Sequence, residues 1–273
     1  MIGFVVPFRS KDSSSNWNLH VNLLYRTVKS ICNQTDLRFF AFVVYTDMPE
    51  RKVEHENVTY IRYPFPYLKA EEILDYESYG KLYYTPNDAQ NAMDQGRKIL
   101  YGCAQAKLQG CDYIMSVDAD DLVSSRISEY VNKSLSSKAP GWYISKGYVL
   151  LEDKKLLYRQ PGKMNEINGS THIIYKDLIP SPDFASRKLM DFNFFSAHGW
   201  LRYRLLQYEN INLFPLPFYA VLYSMNSGSW MYGRQKFENT GIRKIIKYVV
   251  RGCFSKRKIV HEFGYYRIED SCK

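Results

Sequence analysis

Apolar positions along this chain fall into two kinds of run. Ile2-Gly-Phe-Val-Val-Pro-Phe8 is continuously apolar, Trp17 to Ile31 repeats Leu19, Leu23, Leu24, Val28 and Ile31, and Phe39 to Tyr45 is continuous again. The first and third predict buried strands; the second predicts an amphipathic helix, since one helix face returns every three to four residues. Val58 to Tyr63 predicts another strand, stopped by Pro64 and Pro66. Tyr67 to Asn87 has no clear period and predicts an irregular excursion. From Asp88 to Gln109 the positions Met93, Ile99, Leu100, Cys103, Ala104 and Leu108 predict a second helix, closed by Gly110. Tyr113 to Val117 is a short apolar strand that ends abruptly in Asp118-Ala-Asp-Asp121. Beyond it the pattern predicts a helix over Ile127 to Leu135, a strand over Gly141 to Leu151, and a helix-rich stretch from Tyr175 to Ser181 onward. An aromatic strand over Phe214 to Tyr223, interrupted by Pro215 and Pro217, completes the series. This order predicts an α/β fold with a mixed, mostly parallel sheet flanked by helices, whose ligands bind outside the carboxyl ends of the strands.

Composition narrows this little. With 273 residues, 45% of them hydrophobic, the chain can bury the core of one large domain. Its 24% charged fraction of both signs, 24 Tyr and 15 Phe argue against disorder. Cys32, Cys103, Cys111, Cys253 and Cys272 are scattered with no C-x-x-C pair, which fits thiols in a reducing compartment better than zinc or disulfides. Ile2 to Phe8 is too short for a signal-peptide core and no run is long enough to span a bilayer, so the expected location is cytoplasmic. The net charge of +9 favours anionic partners, and Arg243, Lys244, Lys247, Arg251, Lys256, Arg257 and Lys258 hold much of it. With Ile245, Ile246, Val249 and Val250 as an apolar stripe, Ile242 to Lys258 could lie peripherally on an anionic inner membrane face.

The chemistry lies in the acids. Asp118 and Asp120, two residues apart after a buried strand, can face one hard cation such as Mn²⁺ or Mg²⁺, which bridges to phosphate oxygens. Asp121 could ligate it or orient the others. Three acids so close repel one another unless a cation or donors compensate them. A calcium loop is disfavoured, because its further acids and its Gly are missing, and a phosphatase aspartate motif because Leu122 stands where Thr or Val is needed.

Val5-Val-Pro-Phe-Arg9, Gly96-Arg-Lys98 and Tyr113-Ile-Met-Ser-Val-Asp-Ala-Asp-Asp-Leu122 together resemble bacterial family-two-type glycosyltransferases, chiefly over the first half of the chain. The resemblance implies a GT-A fold, with a donor-binding half over about 1–125, an acceptor-binding half over about 126–240, and a basic extension over 241–273. It implies that Asp118, Ala119 and Asp120 hold the metal and donor diphosphate, that Pro7, Phe8 and Arg9 line the base or ribose pocket, that Asp47 sits near the base, and that Arg97 and Lys98 lie beside the donor. The expected partners are a nucleotide-diphospho-sugar and a carbohydrate or lipid-linked carbohydrate acceptor, in surface-polysaccharide or lipopolysaccharide assembly, with inversion favoured.

The chain departs from the pattern where related enzymes carry an acidic base: Phe194-Phe-Ser-Ala-His198-Gly-Trp-Leu201 has a histidine instead. A neutral imidazole can take a hydroxyl proton near pH 7, so His198 and the earlier Asp191 are both candidate bases. Asn168-Gly-Ser-Thr-His172 could place Ser170 or His172 on the donor sugar, and Met225-Asn226-Ser227 weakly resembles a closing segment of related enzymes. A sugar-nucleotide-forming nucleotidyltransferase is the nearest rival, but no Gly-rich basic loop follows Phe8. A nucleic-acid-binding role would set the acids against phosphates, so no nucleic-acid partner is expected.

Overall fold

The computed structural model describes residues 1–152, 156–196, 198–225, 256–266 and 268, the side chains of residues 137, 198 and 256–258 excepted. In chain order the elements are β1 (Ile2–Pro7), α1 (Trp17–Cys32), β2 (Phe39–Tyr45), β3 (Val58–Arg62), α2 (Pro86–Leu108), β4 (Tyr113–Ser116) and β5 (Leu122–Val123). There follow α3 (Ile127–Lys133), β6 (Gly141–Tyr143), β7 (Gly147–Leu151), β8 (Leu156–Gln160), β9 (His172–Tyr175), α4 (His198–Glu209), β10 (Phe214–Pro215), β11 (Val221–Met225) and α5 (Lys256–Phe263). A seven-stranded sheet runs β10-β6-β9-β4-β1-β2-β3, and a four-stranded sheet runs β5-β11-β7-β8. In the large sheet β4, β1, β2 and β3 pair in parallel, β9 is antiparallel to both β4 and β6, and β10 is parallel to β6. This is the mixed, mostly parallel α/β architecture that the hydrophobic pattern predicts.

Strand alternation sorts the core into two layers. Ile2, Phe4 and Val6 of β1 join Val21, Leu24, Val28 and Ile31 of α1 on one face. Val5 joins Met93, Leu100 and Cys103 of α2 on the other. The second helix lies close enough to the sheet that a Cβ on Gly102 would come within 2.4 Å of Val5 Cγ1, so only glycine permits this approach. Helix α2 begins at Pro86 behind Thr85, whose side chain accepts from the Asp88 N–H. Among the described residues no helix is long and apolar enough to cross a membrane.

Two predicted strands divide. Gly141 to Leu151 forms β6 in the large sheet and β7 in the small one, the chain crossing between them at residues 144–146. Phe214 to Tyr223 likewise splits into β10 and β11, since Pro215 and Pro217 lack the N–H groups a continuous ladder needs. Among the described residues the stretch after Tyr175 holds two short 3-10 helices, Lys176–Leu178 and Leu189–Phe192, before α4. The boundary expected near 240 falls outside the described residues, but 256–266 pack into the domain: Ile259 and Phe263 are buried with Leu122, Leu150 and Leu222.

Candidate functional site

Parallel register brings three strand ends to one edge. Val5 stands opposite Ser116 and Pro7 opposite Val44. The ladders continue one residue further, Val117 N–H donating to Val5 O and Phe8 N–H to Val44 O, each at 2.8 Å. Asp118, Arg9 and Asp47 therefore emerge along the same carboxyl edge, where an open α/β sheet binds its ligands.

The three acids have unequal surroundings. Asp118 is half-buried: its N–H donates to Ser170 Oγ at 2.8 Å, and its Oδ1 accepts from Gln95 Nε2 at 2.8 Å. Loss of water pushes its pKa up to about 6, with the Gln95 hydrogen bond opposing. Asp120 is also half-buried. Asp121 is wholly buried; Oδ2 accepts from Asn168 Nδ2 and Ser170 Oγ, both at 2.6 Å, and Oδ1 from Ser224 N–H at 3.3 Å. Burial raises its pKa well above the carboxylate range, and the charges of Asp120 and Asp118 add to this. Tyr223 is raised as well, first by burial and then by Asp121, Asp120 and Asp118, so the negative field reaches across to β11.

Of the two roles open to Asp121, these neighbours suit orientation of the loop from within. Among the described residues no three His, Cys, Asp or Glu side chains are grouped as a metal cage. The half-buried pair Asp118 and Asp120 still fits Mg²⁺ or Mn²⁺, which keeps several waters and takes one or two carboxylates plus substrate phosphates. Ala119 lies half-buried between them.

The loop after β1 is fastened from beneath. Lys98, fully buried on α2, donates from Nζ to Phe8 O at 2.7 Å, Ser10 Oγ at 2.9 Å and Asp94 Oδ2 at 2.8 Å, while Ser10 Oγ donates to Asp94. Burial lowers the Lys98 pKa, and Asp94 opposes that. Lys98 thus holds the Pro7–Ser10 backbone with its ammonium. Arg97 is buried too: its guanidinium donates to Pro66 O and Phe184 O and stacks among Tyr63, Phe65 and Phe192. A Cβ on Gly96 would meet Phe192 O at 2.3 Å, which explains the glycine beside this basic pair. Phe8 is buried against Trp17, Arg9 is half-buried near His20, and Asp47 accepts from Lys11 N–H at 2.7 Å. Beyond the ends of β2 and β3, Thr46, Arg62, Tyr63, Pro64, Phe65 and Pro66 line a cleft of about 620 Å³.

From the second half, Ser170 is at the acids, binding Asp121 and the Asp118 N–H. His172 is buried in β9, its Nδ1 3.3 Å from Thr171 Oγ1. Asp191 is half-buried and accepts from Ser186 Oγ. The backbone of His198 opens α4, where a Cβ on Gly199 would lie 3.6 Å from Glu166 Cα. This places the helix start against the turn that leads to Asn168 and Ser170; the His198 side chain lies outside the described atoms. Asn226, Ser227 and Ile242 to Ser255 also lie outside the described residues. Sequence reasoning missed Asp94, Gln95 and Ser224. The i, i+4 spacing of Asp94 and Lys98 was the available signal for the first; the other two become visible only when distant segments meet.

No protein-family model matches the chain, and no curated protein matches it. Among solved structures it is similar to S. aureus TarS 1-349, with 10% identity over 94% of this chain and 67% of that one, and a TM-score of 0.44. The same TarS fragment has been crystallised with UDP and with UDP-GlcNAc. A Desulfovibrio desulfuricans G20 protein, provisionally assigned as a nucleotide-diphospho-sugar transferase, shares 12% identity over 91% of each chain with a TM-score of 0.38.

Proposed function

We propose that this chain is a metal-dependent glycosyltransferase that moves a hexose from a nucleotide-sugar to a hydroxyl acceptor. The observation that carries the reading is the half-buried pair Asp118 and Asp120 at the end of β4, backed by the buried Asp121 and sharing one edge with Arg9 and Asp47. Acids gathered there, with no cationic partner for Asp121 among the described residues, suit a site completed by a cation and a diphosphate. An Mn²⁺ or Mg²⁺ ion held by Asp118 and Asp120 would neutralise charge building on the departing nucleoside diphosphate.

The chain's own residues do the rest. Lys98 and Asp94 fix the loop carrying Phe8 and Arg9, so the donor's nucleoside meets a preformed wall. Asp47 and the cleft bordered by Arg62 and Phe65 lie on the side where the base would go. His198 or Asp191 would take the acceptor's proton, in keeping with inversion. On α4, Trp200 is 64% exposed and stacks edge-on with Tyr203 at 5.2 Å, offering an aromatic surface to a carbohydrate acceptor. Surface-polysaccharide or lipopolysaccharide assembly would be the setting, with Ile242 to Lys258 as the segment for an anionic bilayer. Liposome flotation of the full-length chain against its Arg243→Glu, Lys244→Glu, Lys247→Glu, Arg251→Glu variant tests that part: equal flotation of the two removes it.

Thermal shift across UDP-, GDP- and dTDP-sugars, with and without Mn²⁺, tests the central reading. A metal-dependent rise with one nucleotide is expected, because a ligand that binds the folded state stabilises it by mass action. A flat response across the panel would overturn it.

A further inference from the structure

We propose that the C-terminal segment 259–266 is a positioning element for the Asp118–Asp121 loop, holding it from behind through Glu262 and Arg26. The functional half of this statement rests on the glycosyltransferase reading; the structural half does not.

The loop needs such support on its far side. Its near side continues β4, inside the seven-stranded sheet. Its far side enters β5, an edge strand of two residues whose register with β11 is only Leu122 with Leu222 and Val123 with Val221. So short a ladder fixes position weakly. The C-terminal segment adds what the ladder lacks. Leu122 is buried against Ile259 and Phe263. Ser124 Oγ donates to Glu262 Oε1 at 2.6 Å, Arg126 donates to the same oxygen from Nε at 2.9 Å and NH2 at 2.6 Å, and Ser125 N–H donates to Glu262 O at 3.0 Å. The residues just after Asp121 are therefore gripped by one glutamate.

A second route reaches Asp121 itself. Arg26 is wholly buried on α1 and donates from NH1 to Tyr266 O at 3.3 Å, while Tyr265 packs on its guanidinium. Its NH2 pairs with Glu152 Oε1 at 2.6 Å and donates to Ser224 Oγ at 2.9 Å. Ser224 Oγ donates to Glu152, and Ser224 N–H donates to Asp121 Oδ1 at 3.3 Å. Tyr266, Arg26, Ser224 and Asp121 form one chain of contacts from the C-terminal segment to the buried acid.

Full-length Glu262→Ala and Glu262→Gln test this by hydrogen exchange. In Glu262→Ala the amides of residues 118–125 should exchange about tenfold faster, with β1 to β3 unchanged, because charge-assisted hydrogen bonds hold only that region. Glu262→Gln keeps an acceptor for Ser124 and Arg126 and should restore most of the protection. Unchanged exchange at 118–125, or a rise shared equally with β1 to β3, overturns the proposal. In the functional arm, Glu262→Ala should raise donor KM and half-saturating Mn²⁺ about tenfold while kcat stays within about twofold, as expected for a site still present but less well preorganised. Ile179→Ala, in the core beside α2, serves as the stability control: at an equal loss of Tm it should move neither constant. If wild-type protein shows no donor or Mn²⁺ response, the enzyme reading fails, and the exchange arm alone still decides the positioning role.

Discussion

Asp94 and Asp121 are both buried carboxylates, one under the loop after β1 and the other under the loop after β4, yet their surroundings differ in charge. Asp94 has the Lys98 ammonium 2.8 Å away, with Ser10 completing the group. Among the described residues Asp121 receives the neutral donors Asn168, Ser170 and the Ser224 N–H, and has Asp118 and Asp120 for neighbours. The first group is electrically closed and acts as a strut. At Asp121 the described residues supply no cationic side chain, and the neighbouring acids add to the burial that raises its pKa. Burial does not distinguish these two acids; the charge of the partner does.

Lys98→Met leaves Asp94 buried without a counter-charge and should cost about 3–5 kcal/mol in urea unfolding. Asp121→Asn replaces a carboxyl group that has no cationic partner among the described residues, and loses the 3.3 Å contact to Ser224, so its expected cost is about 1 kcal/mol or less. Equal losses would erase the distinction. On the functional side, Asp120→Asn should lower turnover about a thousandfold, roughly 4 kcal/mol of barrier, and abolish the Mn²⁺-dependent thermal shift by nucleoside diphosphate while unliganded Tm stays put. Retained metal-dependent binding in that variant would move the cation away from Asp120.

The same contrast explains what was legible in the sequence. Strands β1, β2 and β4 and helices α1 and α2 stand where the apolar periods place them, because each buries a continuous run or stripe against its sequence neighbours. In the second half, short strands alternate between two sheets, and a run such as Gly141 to Leu151 looks continuous although it changes sheets midway. Asp118 to Asp121 announced themselves as a cluster, but the sequence did not distinguish Asp121, because Asn168, Ser170 and Ser224 reach it from 47 to 103 residues away. Lys98 and Arg97 read as cations for a donor; burial and their carbonyl partners give them inward contacts that spacing alone does not reveal.

A third measurement sharpens the β1 side. His20 is buried beneath the same loop, its Nδ1 2.7 Å from Ser14 Oγ and its Nε2 3.4 Å from Arg9. Since a guanidinium only donates, Nε2 accepts, and Nδ1 carries the proton toward Ser14. Burial first, and the Arg9 charge second, push its pKa down to about 4. The unfolded chain, with a histidine near its ordinary value of 6.5, binds the proton earlier, so stability is full above about pH 6.5 and falls as pH drops through 6.5 to 4. The full loss is at most about 3 kcal/mol. His20→Gln should flatten that part of the Tm profile, and an unchanged slope between pH 6.5 and 4 would show that His20 is not its source.

Gln95 gives the smallest effect and the finest test, because it joins the two regions. It follows Asp94 on α2, yet its Nε2 reaches across to Asp118 Oδ1 at 2.8 Å. That hydrogen bond favours the ionised carboxylate, the form a cation needs, and so works against the burial that raises the Asp118 pKa. Gln95→Ala removes one partly exposed hydrogen bond and leaves the Lys98 strut intact, so stability should change by about 1 kcal/mol or less. If the edge binds a cation through Asp118, half-saturating Mn²⁺ in the donor-binding assay should rise about threefold, with the shift growing as pH falls toward 6, where Asp118 begins to hold its proton. A variant that loses stability yet keeps its metal requirement at every pH would mean that Gln95 serves the helix rather than the acids, and that the two loops act independently.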